Sequence, residues 1–167
     1  MLVEVCQGFG RLGTLPPMST YGVAQATRIV PASAADIFEL LATPAKHPLI
    51  DGSNTVLGAQ PLTPDRLWAG AKFGMNMKIG GRYKILNQVV EFEEGRRIAW
   101  RHFGGHIWRY ILEPVGENST VVTEQFDPRT ARSPVVLKII RATPRNQKAI
   151  DETLHKLVEW ASSRSVS

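Results

Sequence analysis

The order in which the hydrophobic periodicity changes along the chain constrains its fold more than any single motif. A strand-like segment and a short helical segment come first, residues 53–127 then show the alternation of strands, and residues 133–162 return to helical spacing. This order is typical of one antiparallel sheet folded against one helix. We therefore predict an α+β domain in which a curved antiparallel sheet of six to seven strands wraps around a long C-terminal helix.

Two short helices are expected directly after the first strand, which the alternation places at residues 22–30. Ser33 and Asp36 form the Ser-x-x-acid pattern of a helix N-terminus, and apolar residues follow at helical spacing. A second short helical turn is expected over residues 44–51, where Pro48 limits its length. Two consecutive short helices at this point form a V shape.

The middle of the chain predicts six further strands, separated by turns that contain Gly or Pro. These turns recur about every 10 to 14 residues, as an antiparallel meander requires. The strands are expected at residues 55–59, 71–79, 82–93, 96–103, 106–114 and 119–126.

The terminal helix is predicted to begin at Ser133 and Pro134, an N-cap followed by proline at the first helical position. Thr143-Pro144 either kinks this helix or starts it afresh. Beyond that point an apolar stripe at helical spacing is expected to face the sheet. Its members are Ile150, Leu154, Leu157, Val158 and Ala161.

The composition fits a soluble protein. Of 167 residues 43% are hydrophobic, the net charge is +5, and Cys6 is the single cysteine. One cysteine allows no disulfide within the chain, and no apolar stretch approaches the ~20 residues that span a bilayer. We expect a cytoplasmic protein without stable membrane insertion. The basic excess of the terminal segment indicates either a solvated helix face or attraction to anionic surfaces.

The N-terminal segment contains a glycine motif that is not expected to bind a dinucleotide. Residues 8–13 match G-x-G-x-x-G, but Pro16 and Pro17 follow where the phosphate-binding helix would have to run. We predict that residues 1–18 are a disordered or non-native extension, with Met18 as an alternative start. Residues 19–167 are then expected to form a single ligand-binding domain.

Five segments of the chain, taken in order, carry a resemblance to a known superfamily. They are Ile29–Phe38, Gly70–Phe73, Arg97–Arg101, Trp108–Pro114 and Ser119–Glu124. The chain resembles the START-like (SRPBCC) superfamily, and within it the bacterial polyketide cyclase/dehydrase group, over about residues 22–162. The resemblance implies the helix-grip fold, with a deep cavity between sheet and terminal helix for lipids, polyketides, hormones or other apolar molecules. The resemblance implies no set of catalytic residues, because the superfamily shares none.

Strand alternation indicates which side chains face the terminal helix and are candidates for ligand binding. These candidates are Phe73, Met75, Met77, Trp100, His102, Trp108, Tyr110, Glu124, Phe126 and, from the helix, Leu154. Methionine and aromatic side chains suit an adaptable apolar pocket, and they suit an ordinary filled core equally. A one-residue slip or a bulge would turn any of these rows outward.

Glu124 is the candidate whose place in the sequence says most about its chemistry. A carboxylate between Val122 and Phe126 on an inward row is costly unless it is paired or protonated. It is either a cavity acid that binds ligand or moves protons, with Tyr110 and His102 as polar companions, or a structural residue that pairs with an Arg or Tyr or points outward. His102 is open to the same two interpretations.

Three functions follow from these observations. The first is binding of a small hydrophobic molecule, lipid-like or polyketide-like, without turnover. The second is an enzyme of the cyclase or dehydratase type that uses Glu124, Tyr110 or His102. The third is a membrane-surface or regulatory interaction module that uses the basic terminal helix. We expect no metal, no cofactor and no nucleic-acid partner, because the four histidines lack ligand spacing and basic and aromatic residues do not share a face. The oligomeric state stays open.

Overall fold

A computed structural model describes residues 22–133 and 142–164 of the chain. In this part seven strands form one antiparallel sheet in the order β1-β7-β6-β5-β4-β3-β2. The strands are β1 Ala24–Val30, β2 Val56–Ala59, β3 Lys72–Ile79, β4 Gly81–Glu93, β5 Arg97–His102, β6 Ile107–Gly116 and β7 Ser119–Asp127. The predicted α+β architecture and its strands are confirmed, with bounds that differ by a few residues.

The helices follow in the predicted order. Helix α1 spans Ala34–Ala42, and the Ser33 hydroxyl caps it by accepting a hydrogen bond from the Asp36 amide at 3.1 Å. A 3-10 turn over Pro44–Lys46 leads into α2, His47–Ile50. Helix α3 spans Ala142–Arg164, with Pro144 in its first turn. The predicted helix start at Pro134 and the predicted extension 1–18 lie outside the described residues.

The apolar stripe of α3 packs onto the concave face of the sheet along β1 and β7. Ile150, Leu154, Leu157 and Ala161 are buried, as predicted, while Val158 is half-buried. These side chains meet inward residues of the sheet and of α1 in one hydrophobic core. The helix is therefore held on the sheet by the stripe from Ile150 to Ala161, and Gln147 adds two hydrogen bonds to the backbone of Gln25 in β1.

The level at which core gives way to cavity shifts between neighbouring strands, because Ile98 in the core is paired with Tyr110 on the cavity wall. On three neighbouring strands the inward residues on one side of this level are fully buried core residues: Ile98, Leu112 and Val122. On each of these strands the inward residue two positions away, on the other side of the level, lines a cavity. These residues are Trp100, Tyr110 and Glu124. On α3 the level falls near Thr153, which lines the cavity, whereas Leu154 lies in the core. Glu124 and Tyr110 thus stand on the floor of the cavity.

A β-bulge in β4 separates the two halves of the longest strand. The register with β5 shifts between Val89 and Glu91, which places one extra residue in β4. Past the bulge Phe92 turns inward and packs edge-on against Phe38 of α1, with ring centroids 5.2 Å apart. The bulge lets one long strand bend around the core while both of its halves keep an apolar inner face.

The turn between α2 and β2 closes one wall of the cavity by direct contact with α3. The Gly52 amide donates to Thr153 Oγ1 at 3.1 Å. Lys156 Nζ donates to the Asp51 carbonyl and to Asn54 Oδ1, each at 2.7 Å. A Cβ on Gly52 would overlap the Ala149 carbonyl oxygen and the Thr153 amide nitrogen. Only glycine allows this approach.

We predict that Gly52→Ala destabilises the protein by about 1–3 kcal/mol, because the turn must move away from α3. Gly81→Ala is the matched control, since a Cβ at Gly81 meets nothing within 4 Å. Chemical denaturation of the two variants and the wild type measures the difference. Equal stability of the two variants would contradict the close approach.

Candidate functional site

A cavity of about 870 Å³ lies between the concave face of the sheet, α2 with its following turn, and the first half of α3. Nine of the ten predicted ligand-binding residues line it: Phe73, Met75, Met77, Trp100, His102, Trp108, Tyr110, Glu124 and Phe126. Leu154, the tenth, lies in the core and is not among the lining residues. Its place on the wall is taken by α3 residues one turn or more earlier, such as Ala149 and Asn146.

Aromatic rings form the centre of the cavity wall. Trp100 stacks on His47 of α2, with centroids 5.2 Å apart and planes 19° apart. Phe73 meets Trp100 edge-on at 5.7 Å, and Tyr110 lies 5.6 Å from the same indole on the other side. These contacts tie three strands and α2 together, so this part of the wall is rigid. The β3 residues Met75 and Met77 continue it as a more adaptable surface.

Glu124 and Tyr110 are directly opposite each other on β7 and β6. The Tyr110 hydroxyl donates to Glu124 Oε1 at 2.9 Å. Glu124 is 2% exposed, and its other oxygen, Oε2, is buried without a hydrogen-bond partner among the described residues. Glu124 therefore faces inward and lines the cavity, and it is also paired with a tyrosine, as the structural interpretation of this residue expected.

Burial determines the protonation of this pair. It raises the pKa of Glu124 well above the ordinary value, and the negative charges of Asp51 and Asp151 add to that effect. The hydrogen bond from Tyr110 acts in the opposite direction but does not prevent it. Burial likewise raises the pKa of Tyr110, and so does the adjacent Glu124. Both shifts favour the uncharged form, which for Glu124 is the carboxylic acid.

The histidines of the cavity are also uncharged. His102 and His106 stack with centroids 4.4 Å apart, and burial lowers the pKa of each to about 4. The His102 Nδ1 atom accepts from the Gly104 amide at 3.1 Å. Burial also lowers the pKa of His47, whose Nε2 lies 2.8 Å from the Leu41 carbonyl and therefore carries the proton. His102 thus has a structural hydrogen bond and also faces the cavity.

Charged groups stand at the rim of the cavity. Arg132, Arg145 and Lys148 line it with exposed side chains, and within residues 22–133 and 142–164 none of them forms an ion pair. Asp51 also lines the cavity, but its carboxylate accepts hydrogen bonds from the backbone of its own turn, including the amides of Thr55 and Val56 at 2.7 Å. The rim is therefore cationic and the interior uncharged.

Three features of the site were missed by sequence reasoning. His47 lies in a helix of four residues, too short for a periodic signal. The rim cations Arg145 and Lys148 lie on helix positions that looked merely solvated, and Arg132 lies in the segment after β7. Asn87, buried on β4, also faces the cavity and had no signal beyond strand alternation.

Two searches of the described part of the chain gave negative results. No cluster of three or more His, Cys, Asp or Glu side chains there could hold a metal ion. Among the helices of that part, none combines the length and apolar character needed to cross a membrane.

We predict that Glu124 is protonated near neutral pH. The infrared difference spectrum of wild type minus Glu124→Gln should contain the C=O stretching band of a protonated carboxylic acid. Glu113→Gln, the same substitution at an exposed position on β6, controls for the substitution itself. A pair of carboxylate bands instead would show that Glu124 is ionised.

Glu124 should also make the stability of the protein fall as pH rises. Its folded-state pKa lies above the unfolded value, so between these values the native chain keeps a proton that the unfolded chain releases. Relative to wild type, Glu124→Gln should gain stability by up to about 1.4 kcal/mol per pH unit as the pH rises above the ordinary pKa of a glutamate. Urea denaturation of both proteins across this range measures the slope, and a constant offset would contradict it.

Comparison with curated proteins finds uncharacterized relatives. The protein Rv0088 of Mycobacterium tuberculosis H37Rv is 38% identical over 103 residues, which are 61% of this chain and 46% of that protein. A protein of strain CDC 1551 is 37% identical over 103 residues with the same coverage. The matched region thus spans about half the length of these relatives. No protein-family model matches the chain.

Comparison with solved structures finds the same architecture at low sequence identity. A START superfamily protein from Mycobacterium smegmatis is 17% identical with a TM-score of 0.61, over 84% of this chain and 97% of that one. A polyketide-cyclase-like protein from Corynebacterium glutamicum is 17% identical with a TM-score of 0.53, over 84% and 88%. A protein from Nitrosomonas europaea is 12% identical with a TM-score of 0.64, over 87% and 97%. The chain therefore has the helix-grip fold of the START-like proteins, as its sequence segments predicted.

Proposed function

We propose that this protein binds a small hydrophobic molecule in the cavity between the sheet and α3. The observation that carries the proposal is the cavity itself, about 870 Å³ with walls of aromatic, methionine and isoleucine side chains. Ligand sites for small molecules have volumes of about 300–1,000 Å³ and are mostly apolar with a few placed polar groups. Both descriptions fit this cavity.

The alternative of a filled core is less consistent with the packing. Side chains fill the space below the cavity floor, where Ile98, Leu112, Val122 and Leu154 are all nearly inaccessible. Above that level the lining side chains are large, yet they enclose open volume. Water against such walls is displaced favourably by an apolar molecule. A ligand of a few hundred daltons suits the volume.

The START-like fold supports the same proposal. The sequence resemblance associates this fold with cavities for lipids, polyketides and related apolar molecules. The position of the cavity, between the sheet and the terminal helix, is the position that the resemblance implies. The nature of the ligand must come from the chain's own residues.

A second candidate function is an enzyme of the cyclase or dehydratase type. The observation that favours it is the buried carboxyl of Glu124, whose Oε1 is held by Tyr110 and whose pKa is raised by burial, because a carboxyl that keeps its proton can act as a general acid. His102 and His106 are weak bases, since their pKa values lie near 4. Binding without turnover is therefore the first proposal. Under the second, Glu124→Gln abolishes conversion of a polyketide-like substrate and leaves its binding intact.

The first proposal predicts that the purified protein carries or accepts an apolar ligand. Native mass spectrometry should show a bound species of a few hundred daltons that denaturation removes. The wild type should also enhance the fluorescence of the neutral probe 1-aminoanthracene. A bare protein that leaves the probe unbound would contradict the proposal.

A matched pair of variants locates binding in the cavity. Ile85 lines the cavity from β4, and its neighbour Leu86 is 54% exposed on the other face of the same strand. Ile85→Lys should weaken binding of 1-aminoanthracene at least about tenfold, because a charge then faces the apolar space. Leu86→Lys should leave it within about twofold. Equal effects would place the probe elsewhere.

A further inference from the structure

We infer that the ligand carries an acceptor oxygen, of the ketone, ester or quinone class, which reaches the cavity floor and takes a hydrogen bond from the Oε2–H group of Glu124. The inference deepens the proposed function and rests on it. It concerns which chemistry the site selects among apolar molecules of suitable size.

The geometry of the Tyr110–Glu124 pair leaves one oxygen available. Tyr110 donates to Oε1, so that oxygen acts as an acceptor within the protein. The Oε2 atom is buried and has no hydrogen-bond partner among the described residues, and Glu124 is one of the residues that line the cavity. Buried polar atoms without partners are rare and cost about 1–3 kcal/mol. A group that enters the cavity and bonds to Oε2 recovers this free energy.

The charges around Glu124 decide that Oε2 is a donor. The charged groups whose field reaches the carboxyl are Asp51, from the turn after α2, and Asp151, from α3, and both are negative. The cations that line the cavity, Arg132, Arg145 and Lys148, have exposed side chains at its rim. The cavity histidines are uncharged at neutral pH. With no compensating cation, the acid keeps its proton, and the Oε2–H group is left to donate to a ligand that reaches it.

The surroundings make this single donor selective. Along β7 Glu124 is flanked on the inner face by Val122 and Phe126, and opposite it stands the ring of Tyr110. In such apolar surroundings no water competes well for Oε2, and a hydrogen bond is stronger than at a surface. A ligand without an acceptor fills the cavity but leaves the donor unsatisfied, and a protonated amine places a charge where none is compensated.

Three probes with one carbon skeleton test the inference. Diphenylmethane has no polar group, benzophenone adds one acceptor oxygen, and benzhydrylamine adds a cationic amine. Their affinities are measured by displacement of 1-aminoanthracene from the wild-type protein. We expect benzophenone to bind about tenfold more tightly than diphenylmethane, and benzhydrylamine to bind most weakly.

Variants of Glu124 link the preference to this side chain. Glu124→Gln keeps a carbonyl for Tyr110 and an N–H donor at the position of Oε2, so the preference for benzophenone should remain within about threefold of wild type. Glu124→Met combined with Tyr110→Phe removes the carboxyl and also the hydroxyl that its loss would free, so this double variant should bind both neutral probes equally. Glu113→Gln, at an exposed position on β6, should match wild type. The wild-type comparison of the three probes decides the question even where a variant fails to fold.

The outcomes separate this inference from the proposed function. Equal binding of diphenylmethane and benzophenone by wild type would overturn the inference and leave an apolar binding cavity. Preferred binding of benzhydrylamine that Glu124→Gln abolishes would show an ionised carboxylate and a cationic ligand, which also overturns it. Failure of 1-aminoanthracene and all three probes to bind would overturn the proposed function itself.

Discussion

The packing of α3 onto the concave face of the sheet is the contact on which the site depends. An apolar stripe from Ile150 to Ala161 packs into the core, and earlier in the helix Gln147 hydrogen-bonds the backbone of Gln25 in β1, while Ala149 lines the cavity. The turn at Gly52 touches α3 at Ala149 and Thr153 and sets the position of the helix on that side. The cavity is therefore a consequence of where the helix is held. The cavity exists although the inward positions of the sheet carry large side chains.

The titratable groups inside the cavity share one property. Burial shifts the pKa of Glu124 and Tyr110 upward and the pKa of His47, His102 and His106 downward. Each shift favours the uncharged form, which is the expected effect of a poorly solvated enclosure on acids and bases alike. The stacked imidazoles of His102 and His106 depend on this condition, because two imidazolium rings at 4.4 Å would repel each other. The interior can thus form hydrogen bonds with a ligand but presents no charged group to it.

The fold followed from the sequence because its signals are local and repeated. Strand alternation placed Trp100, Tyr110 and Glu124 on the inner face correctly, since no bulge interrupts β5 to β7 between these positions. The predicted Ser33 cap was also confirmed. What the sequence could not supply is the level at which core becomes cavity. Ile150 and Leu154 both pack in the core, while their chain neighbours Ala149 and Thr153 line the cavity, and only the position of α3 on the sheet decides this division.

Affinity and selectivity in this site have different physical origins. The aromatic and methionine walls stabilise any bound apolar molecule by a free energy proportional to the area that it buries. They therefore distinguish poorly between ligands of one size. Oε2 of Glu124 distinguishes them, because an unsatisfied buried donor is a penalty that only an acceptor removes. Tyr110 contributes by holding Oε1, which fixes the direction of the remaining O–H. A rigid floor with one donor and an adaptable wall above it orients a ligand from its polar end. The cationic rim then favours a second, anionic group at the opposite end over a cationic one.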